Sequence, residues 1–442
     1  MNDQYPELYQ SYQWFVPSQF NIAQACVHRW AQNPLEGRRI AIFHENAQGQ
    51  REVWTYTRLS DTCNQLANGL LKMGVRAGDR VALLTEQRPE AVAIYMAIFS
   101  VGAMAVPLSP SADAPSLVAT LRDADTRIAI VDASCVNTLL QAQAKYPALT
   151  QIVGLDFQHE AVIPWRSLLA RQPVSFKPLT TLSDSPALLL YDTNASSHPG
   201  VILPQQALIG ALPGFVASQN WFPLAGDVFW SPAPWHTANG LMQALLPTLY
   251  FGHAIVATSS AFMPEHAFSI MERYQVSNIL LSTSELGSLM ENTPLPRSQY
   301  RLALRAMSTT GPGLSNDTFK WCQDALDLTP NETFRQAEAM LTIGNSHKKW
   351  PAKPGSMGRP YPGHKVAVLD SKGRSCPAGK TGEIAINRYD QNGHPDPVLF
   401  SGYWRNDAVS LSRFHNDWYM TGEQAKVDDD GYYWHVGHRP GS

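Results

Sequence analysis

The stretch Leu188–Leu208, reading LLLYDTNASSHPGVILPQQAL, is the part of this 442-residue chain best laid out to handle an anion. An apolar run ends at Tyr191, a small polar loop follows, and Gly200-Val-Ile-Leu resumes the hydrophobic pattern. Strand, polar loop and apolar return are the layout of a backbone cradle for phosphate. The loop's own chemistry opposes that use. It has no glycine between Tyr191 and Gly200 to let backbone amides converge, and no lysine. Asp192 sets a negative charge where an anion would sit. The stretch therefore reads as a damaged phosphate site, or as a strand–turn–strand kept for packing.

Other chemistry-bearing residues are sparse. Pro234-Trp-His-Thr-Ala-Asn-Gly240 sets an indole and an imidazole side by side ahead of an apolar helix. Trp235 suits packing or a ligand wall, and His236 suits a hydrogen bond to a carboxylate or a place in the core. Asp428-Asp-Asp430 reads as a solvated turn. No G-x-S-x-G elbow is present, which disfavours a serine hydrolase. The five cysteines (Cys26, Cys63, Cys135, Cys322, Cys376) form no C-x-x-C pair, which disfavours a disulfide framework or a structural zinc and fits a reducing compartment.

The elements that must position these residues follow an α/β pattern. Thr57–Met73 carries apolar residues at helical spacing (Leu59, Cys63, Leu66, Leu70, Met73) and stops at Gly74. Asp79-Arg-Val-Ala-Leu-Leu reads as a buried strand, Glu90–Val101 as a helix and Ala103–Leu108 as the next strand. Leu117–Asp123 and Arg127–Val131 continue the alternation, which predicts a parallel sheet covered by helices. After a weakly patterned connector over Pro164–Pro186, strands are expected at Ala187–Tyr191, Ala254–Val256, Asn278–Leu281 and Leu304–Met307. From Pro351 the pattern turns to short β segments (Val366–Asp370, Gly382–Ile386, Tyr432–Val436) between Gly, Asp and Asn turns. The expected division is 1–180 and 181–350 as two α/β subdomains, then 351–442 as a small β-barrel subdomain.

Composition agrees with a large globular chain, at 44% apolar and 16% charged residues. A net charge of −3 argues against nucleic acid and anionic membranes as partners. No apolar run reaches the roughly 20 residues of a membrane span, and the polar, aromatic N-terminus lacks a signal-peptide pattern. A cytoplasmic location is expected.

Several segments, taken in order, resemble the acyl-adenylate-forming (ANL) superfamily of acyl-CoA synthetases, luciferases and peptide-synthetase adenylation domains. They are Trp54-Thr-Tyr-Thr-Arg-Leu, Gly78-Asp-Arg-Val-Ala, Arg88-Pro-Glu and Gly102-Ala-Met-Ala-Val-Pro-Leu-Ser-Pro. Asp227-Val-Phe-Trp-Ser-Pro-Ala, Pro354-Gly-Ser-Met-Gly-Arg-Pro, Gly402-Tyr-Trp-Arg-Asn-Asp, Trp418-Tyr-Met-Thr-Gly-Glu and Asp430-Gly-Tyr resemble its acetyl- and medium-chain acyl-CoA synthetase branch. The resemblance covers nearly the whole chain. It implies the large N-terminal domain of that superfamily and a two-step reaction. A carboxylate attacks the α-phosphate of Mg-ATP to give acyl-AMP, and CoA then displaces AMP.

Position by position, the resemblance also marks departures. The loop that resembles the family's phosphate cradle holds Thr193, Asn194, Ser196 and Ser197, with Asn194 and Ser197 in place of glycines and the family's lysine missing. Asn331-Glu-Thr-Phe-Arg-Gln-Ala-Glu corresponds to the family's Tyr-Gly-x-Thr-Glu segment, so Phe334, Arg335 and Glu338 fall at the nucleotide. Glu338 keeps the carboxylate for Mg²⁺, Ala337 loses a hydroxyl, and Arg335 puts a bulky cation in a glycine's place. Arg335 is expected to pair with Glu332 or Glu338, the alternative being an improvised anion contact. Thr309, Thr310 and Gly311 replace the turn that passes the adenine, and both threonines are expected to crowd it. Glu423 replaces the ribose-binding aspartate, and His438 replaces the hinge arginine. Trp235, His236 and Gly240 fall in the acyl-lining region.

The mobile C-terminal domain with its catalytic lysine is expected to be missing. The resulting expectation is an adenylation-fold protein impaired in ATP chemistry that binds a carboxylic acid, acyl-adenylate, acyl-CoA or a partner protein, with a homodimer as one form. The alternatives are an active AMP-forming acid–CoA ligase or acyl-transfer enzyme using ATP or AMP, Mg²⁺ and CoA with a separately encoded C-terminal domain, or a truncated remnant.

Overall fold

The structure is a computed structural model that describes residues 3–191, 199–259, 262–311 and 313–438. Two large sheets and one small one form the frame. The eight-stranded sheet runs, edge to edge, Gly402–Tyr403, Val201–Pro204, Pro186–Leu190, Met104–Pro107, Arg80–Leu84, Ile128–Asp132, Gln151–Leu155 and Ile163–Pro164. The nine-stranded sheet runs Arg359–Pro360, Met340–Gly344, Asn331–Gln336, Ala306–Thr310, Asn278–Ser282, Val228–Trp230, Ala254–Thr258, Ile40–Glu45 and Arg51–Thr55. In both, the central strands are parallel, as helix-connected strands must be. A five-stranded antiparallel sheet combines Val366–Leu369, Gly382–Asn387, Phe414–His415, Trp418–Val427 and Tyr433–His438.

Strand alternation sorts the core into layers. Val81, Leu83 and Ile130 of the first sheet share one cluster with Ile42, Phe229, Ile255 and Leu280 of the second. Between them lies Pro89–Ser100, a helix buried nearly all round, as expected of an apolar segment without a polar face. The next residues along the same strands (Ala82, Leu84 and Ala129; Val256, Ile279 and Leu281) point the other way, into two outer clusters capped by helices. The helix expected over Thr57–Met73 spans Tyr56–Lys72 and is capped by the Thr55 hydroxyl, which accepts from Arg58 N at 3.2 Å.

Sheet membership crosses segments of the chain. The strand expected near Ala187–Tyr191 lies in the first sheet beside Met104–Pro107, whereas the hairpin Ile40–Thr55 joins the second. Strand Val201–Pro204 folds back antiparallel on Pro186–Leu190, so the polar loop of the opening stretch connects two neighbours in one sheet. Residues 192–198 themselves, including the phosphate-loop candidates Thr193, Asn194, Ser196 and Ser197, lie outside the described residues.

Candidate functional site

The C-terminal ends of the parallel strands in the second sheet bring Trp235–Gly240, Thr310–Gly311 and Phe334–Arg335 to one edge, the usual ligand edge of an open α/β sheet. Leaving strand Val228–Trp230, the chain is pinned by Gln87, whose amide donates to Ala233 O at 2.7 Å, and by Ser231 Oγ, which donates to Leu280 O at 2.8 Å. Tyr95 donates its phenol proton to Trp235 O at 2.8 Å. Trp235 is 3% exposed and packs in the central core, with its indole Nε1 enclosed and without a partner among the described residues. His236 is half-buried, and burial pushes its imidazole down to about 4, leaving it neutral at pH 7. Thr237 caps the helix that follows by accepting from Gly240 N at 3.2 Å. A side chain at Gly240 would run into the carbonyls of Ala233 and Pro234, so glycine lets the helix start against its own entry loop. Residues Leu241–Leu245 form a π-helical turn, a local rewinding often found beside ligand sites.

Asn239, on the first turn of that helix, donates to Thr310 Oγ1 at 3.4 Å. This contact brings the acyl-region segment to the end of strand Ala306–Thr310. The expectation that Thr309 and Thr310 crowd one surface is corrected: successive strand residues face opposite sides, so only Thr310 meets Asn239. Gly311 follows at φ +121°, a left-handed conformation in which a side chain would also press on Thr283 Oγ1.

Strand Asn331–Gln336 carries two different faces. Glu332, Phe334 and Gln336 point toward the small sheet. Glu332 accepts from Leu314 N at 2.8 Å and Gly355 N at 2.7 Å, Phe334 packs beside Ile343 and Val368, and Gln336 donates to Thr421 O at 2.9 Å. Asn331, Thr333 and Arg335 occupy the other face, where Asn331 donates to Ser218 O at 2.8 Å. The expected ion pair of Arg335 with Glu332 or Glu338 is absent among the described residues. Alternation turns Glu332 away, and Glu338 is engaged by Tyr403, whose phenol donates to Oε1 at 2.8 Å. Arg335 Nε is enclosed with no partner, and burial pushes its guanidinium below the usual arginine range. Burial, followed by the Glu338 charge, pushes the Tyr403 phenol up to about 12.

Glu423 lies on strand Trp418–Val427 directly opposite His438. Its carboxylate sits between two imidazoles, with His435 Nε2 at 2.8 Å and His438 Nδ1 at 3.0 Å. A described flank of the phosphate-loop candidate reaches the neighbourhood of Glu338 instead. Gly200 O accepts from Trp404 N at 2.7 Å, next to the Tyr403 that holds Glu338. The contacts of Tyr403 with Glu338, of Asn239 with Thr310 and of His435 with Glu423 went unnoticed in the sequence. Tyr403 lay in plain view within Gly402-Tyr-Trp-Arg-Asn-Asp, but its reach to Glu338 depends on a sheet pairing. Among the described residues no group of three or more His, Cys, Asp or Glu side chains could hold a metal. Mg²⁺ needs only one or two protein carboxylates when phosphates complete its shell, and of the Glu338 carboxylate, the position the resemblance marks for it, one oxygen accepts from Tyr403.

This chain belongs to the AMP-binding enzyme family, whose profile matches residues 27–404. It is 24% identical to the uncharacterized acyl–CoA ligase YtcI of Bacillus subtilis over 423 residues, covering 95% of this chain and 76% of that one. It is 25% identical to the acetyl-coenzyme A synthetase of Streptomyces avermitilis, covering 96% and 68%. Its fold matches a Brucella canis acyl-CoA synthetase with a TM-score of 0.88 at 21% identity, over 99% of this chain and 80% of that one. It also matches the anthranilate CoA ligase AuaEII, solved in complex with anthranoyl-AMP, with a TM-score of 0.85 at 22% identity, over 96% and 79%. No described helix is long and apolar enough to cross a membrane.

Proposed function

We propose that this chain is an acyl-CoA-synthetase-like protein that binds a carboxylic acid or its acyl derivative and is impaired in ATP-dependent adenylation. One observation carries the reading: the charged positions that would meet the nucleotide are committed or altered together. Glu338 is held by Tyr403, Glu423 is held by His435 and His438, and Arg335 stands where the family resemblance expects glycine. The acyl side is better kept. The Trp235–Gly240 turn is rigidly pinned, and the neutral imidazole of His236 is able to accept or donate one hydrogen bond to a ligand.

Were Mg-ATP to bind, Glu338 would hold the metal and Glu423 the ribose hydroxyls, each after giving up a present partner. Mg²⁺ would supply charge neutralisation on the phosphates. Each charge-assisted contact removed costs on the order of 1.5–3 kcal/mol, so two such losses weaken nucleotide binding about a hundredfold or more. Pyrophosphate exchange with a panel of short, medium and aromatic acids tests the reading. Background exchange with measurable acid binding supports it, and robust exchange with any acid overturns it.

The second reading is an active AMP-forming acid–CoA ligase. The family match and the synthetase relatives favour it, as does the retained carboxylate of Glu338. Acyl-CoA formation from acid, ATP and CoA would establish that reading in place of the first.

A further inference from the structure

Among the described residues, five arginines have an enclosed Nε without a hydrogen-bond partner: Arg29, Arg335, Arg359, Arg388 and Arg413. Four of them have other company. Arg29 donates to Tyr250 O and lies over its ring, Arg359 pairs with Asp3, Arg388 lies 4.3 Å from the Phe414 ring centroid, and Arg413 lies by Tyr419. Arg335 alone has no hydrogen bond, ion pair or ring contact with a described residue. Arg335 is half-buried, with its Nε enclosed, and a guanidinium partly withdrawn from water is normally paired in a folded chain. Elsewhere this chain follows that rule, with Arg305 on Asp227 and Arg88 on Glu90 and Asp132.

The two acids nearest in sequence do not serve Arg335. Glu332 points to the opposite face and is satisfied by two backbone amides, and Glu338 is held by Tyr403. Arg335 lies at the ligand edge of the second sheet, on the strand paired with Ala306–Thr310. Thr310 there accepts from the Asn239 amide at 3.4 Å. We propose that Arg335 is the receptor for an oxyanion, the carboxylate or phosphate of a small ligand, which completes the site by neutralising it. The guanidinium offers parallel N–H donors that match two oxygens of either group. The inference rests on the proposed reading of this edge as an acyl or carboxylate site and names the residue that would select for charge there.

The test uses the full chain as wild type, Arg335→Met, Arg335→Gln and Arg335→Lys. Each is titrated by calorimetry and thermal shift with sodium benzoate and sodium hexanoate, and separately with AMP and inorganic phosphate, at constant ionic strength. The expected result is saturable binding of at least one of these anions to wild type and a tenfold to hundredfold loss in Arg335→Met and Arg335→Gln. Arg335→Lys should retain an intermediate affinity. Response to the acids alone identifies a carboxylate site, and response to AMP or phosphate identifies a phosphoryl site. Arg335→Met without ligand should melt at or above the wild-type temperature, because an uncompensated cation has been removed. Equal affinity in wild type and either neutral variant overturns the proposal, as does a folded wild type that binds none of the four anions at millimolar concentration. Pyrophosphate exchange by wild type would overturn the impaired-adenylation reading and leave this comparison intact.

Discussion

Glu332 and Arg335 stand three residues apart on one strand and face opposite sides of it, so the acid and the base do not meet. The acid is spent on structure. Its two oxygens take the amides of Leu314 and Gly355, and so tie the loop after Gly311 to the segment that leads into the small sheet. The base is left facing the ligand edge. A sequence in which the two charges had even spacing would have closed this site with an internal ion pair.

The Glu332 clasp gives a pH signature. Burial pushes its carboxyl up to about 7, from the ordinary 4.5, although both amide hydrogen bonds pull the other way. Because the folded value is the higher one, the contribution is fully present below pH 4.5. It is lost as pH rises through about 7, since the unfolded chain releases its proton first. The loss is on the order of 3 kcal/mol. Glu332→Gln cannot titrate, so its stability relative to wild type should rise between pH 4.5 and 7, read from urea unfolding at a series of pH values. Parallel curves would show that the Glu332 carboxyl titrates alike in the folded and the unfolded chain.

Tyr403 tests whether Glu338 is held by the protein. Tyr403→Phe removes one hydrogen bond to a charged group and should cost about 1.5–3 kcal/mol in urea unfolding. The same variant frees the carboxylate, so magnesium-dependent binding of ATP should strengthen relative to wild type. Unchanged nucleotide binding would mean that Tyr403 does not restrain the metal position.

Glu423 makes a related case on the small sheet. His435 is partly exposed and His438 mostly exposed, so their pairing with Glu423 adds little stability. Replacing both by alanine should leave the melting temperature nearly unchanged and leave the Glu423 carboxylate open to ribose hydroxyls. AMP should then bind the double variant more tightly than wild type in an equilibrium titration. Weaker binding would assign the histidines to the nucleotide itself.

The sequence made the layered α/β fold legible because period-2 and period-3.6 patterns record which face is buried. The helices expected over Thr57–Met73 and Glu90–Val101, found at Tyr56–Lys72 and Pro89–Ser100, needed nothing but the sequence. Pairing between distant segments was not legible: Ile40–Glu45 reaches Ala254–Thr258 and Tyr403 reaches Val201 across some two hundred residues, and Tyr403 reaches Glu338 across 65. The Arg335 error has a different origin. Charge complementarity with Glu332 ignored the strand's alternation, although the spacing of three already forbade the pair. Glu423 was located from its motif, but its two histidine partners come from a hairpin register with a bulge that sequence spacing does not encode.

Gly240 sets the geometry of the acyl-side turn and gives the sharpest prediction of the set. On intrinsic propensity, Gly240→Ala in a helix would gain about 1 kcal/mol. The added methyl would have to occupy the space of the Ala233 and Pro234 carbonyls, which are backbone atoms held by Gln87 and by the turn itself. Overpacking against fixed backbone costs about 1–3 kcal/mol or more and should outweigh the propensity gain. Gly287→Ala is the matched control, a helical glycine with nothing within 4 Å of the added methyl. The control should stabilise by about 0.5–1 kcal/mol while Gly240→Ala destabilises, both read from the urea midpoint. Acid binding should fall with Gly240→Ala alone, because its relaxation displaces Trp235, His236 and Asn239 together. If both variants stabilise the chain, the helix does not start against its entry loop as described, and the placement of His236 at the site edge fails with it.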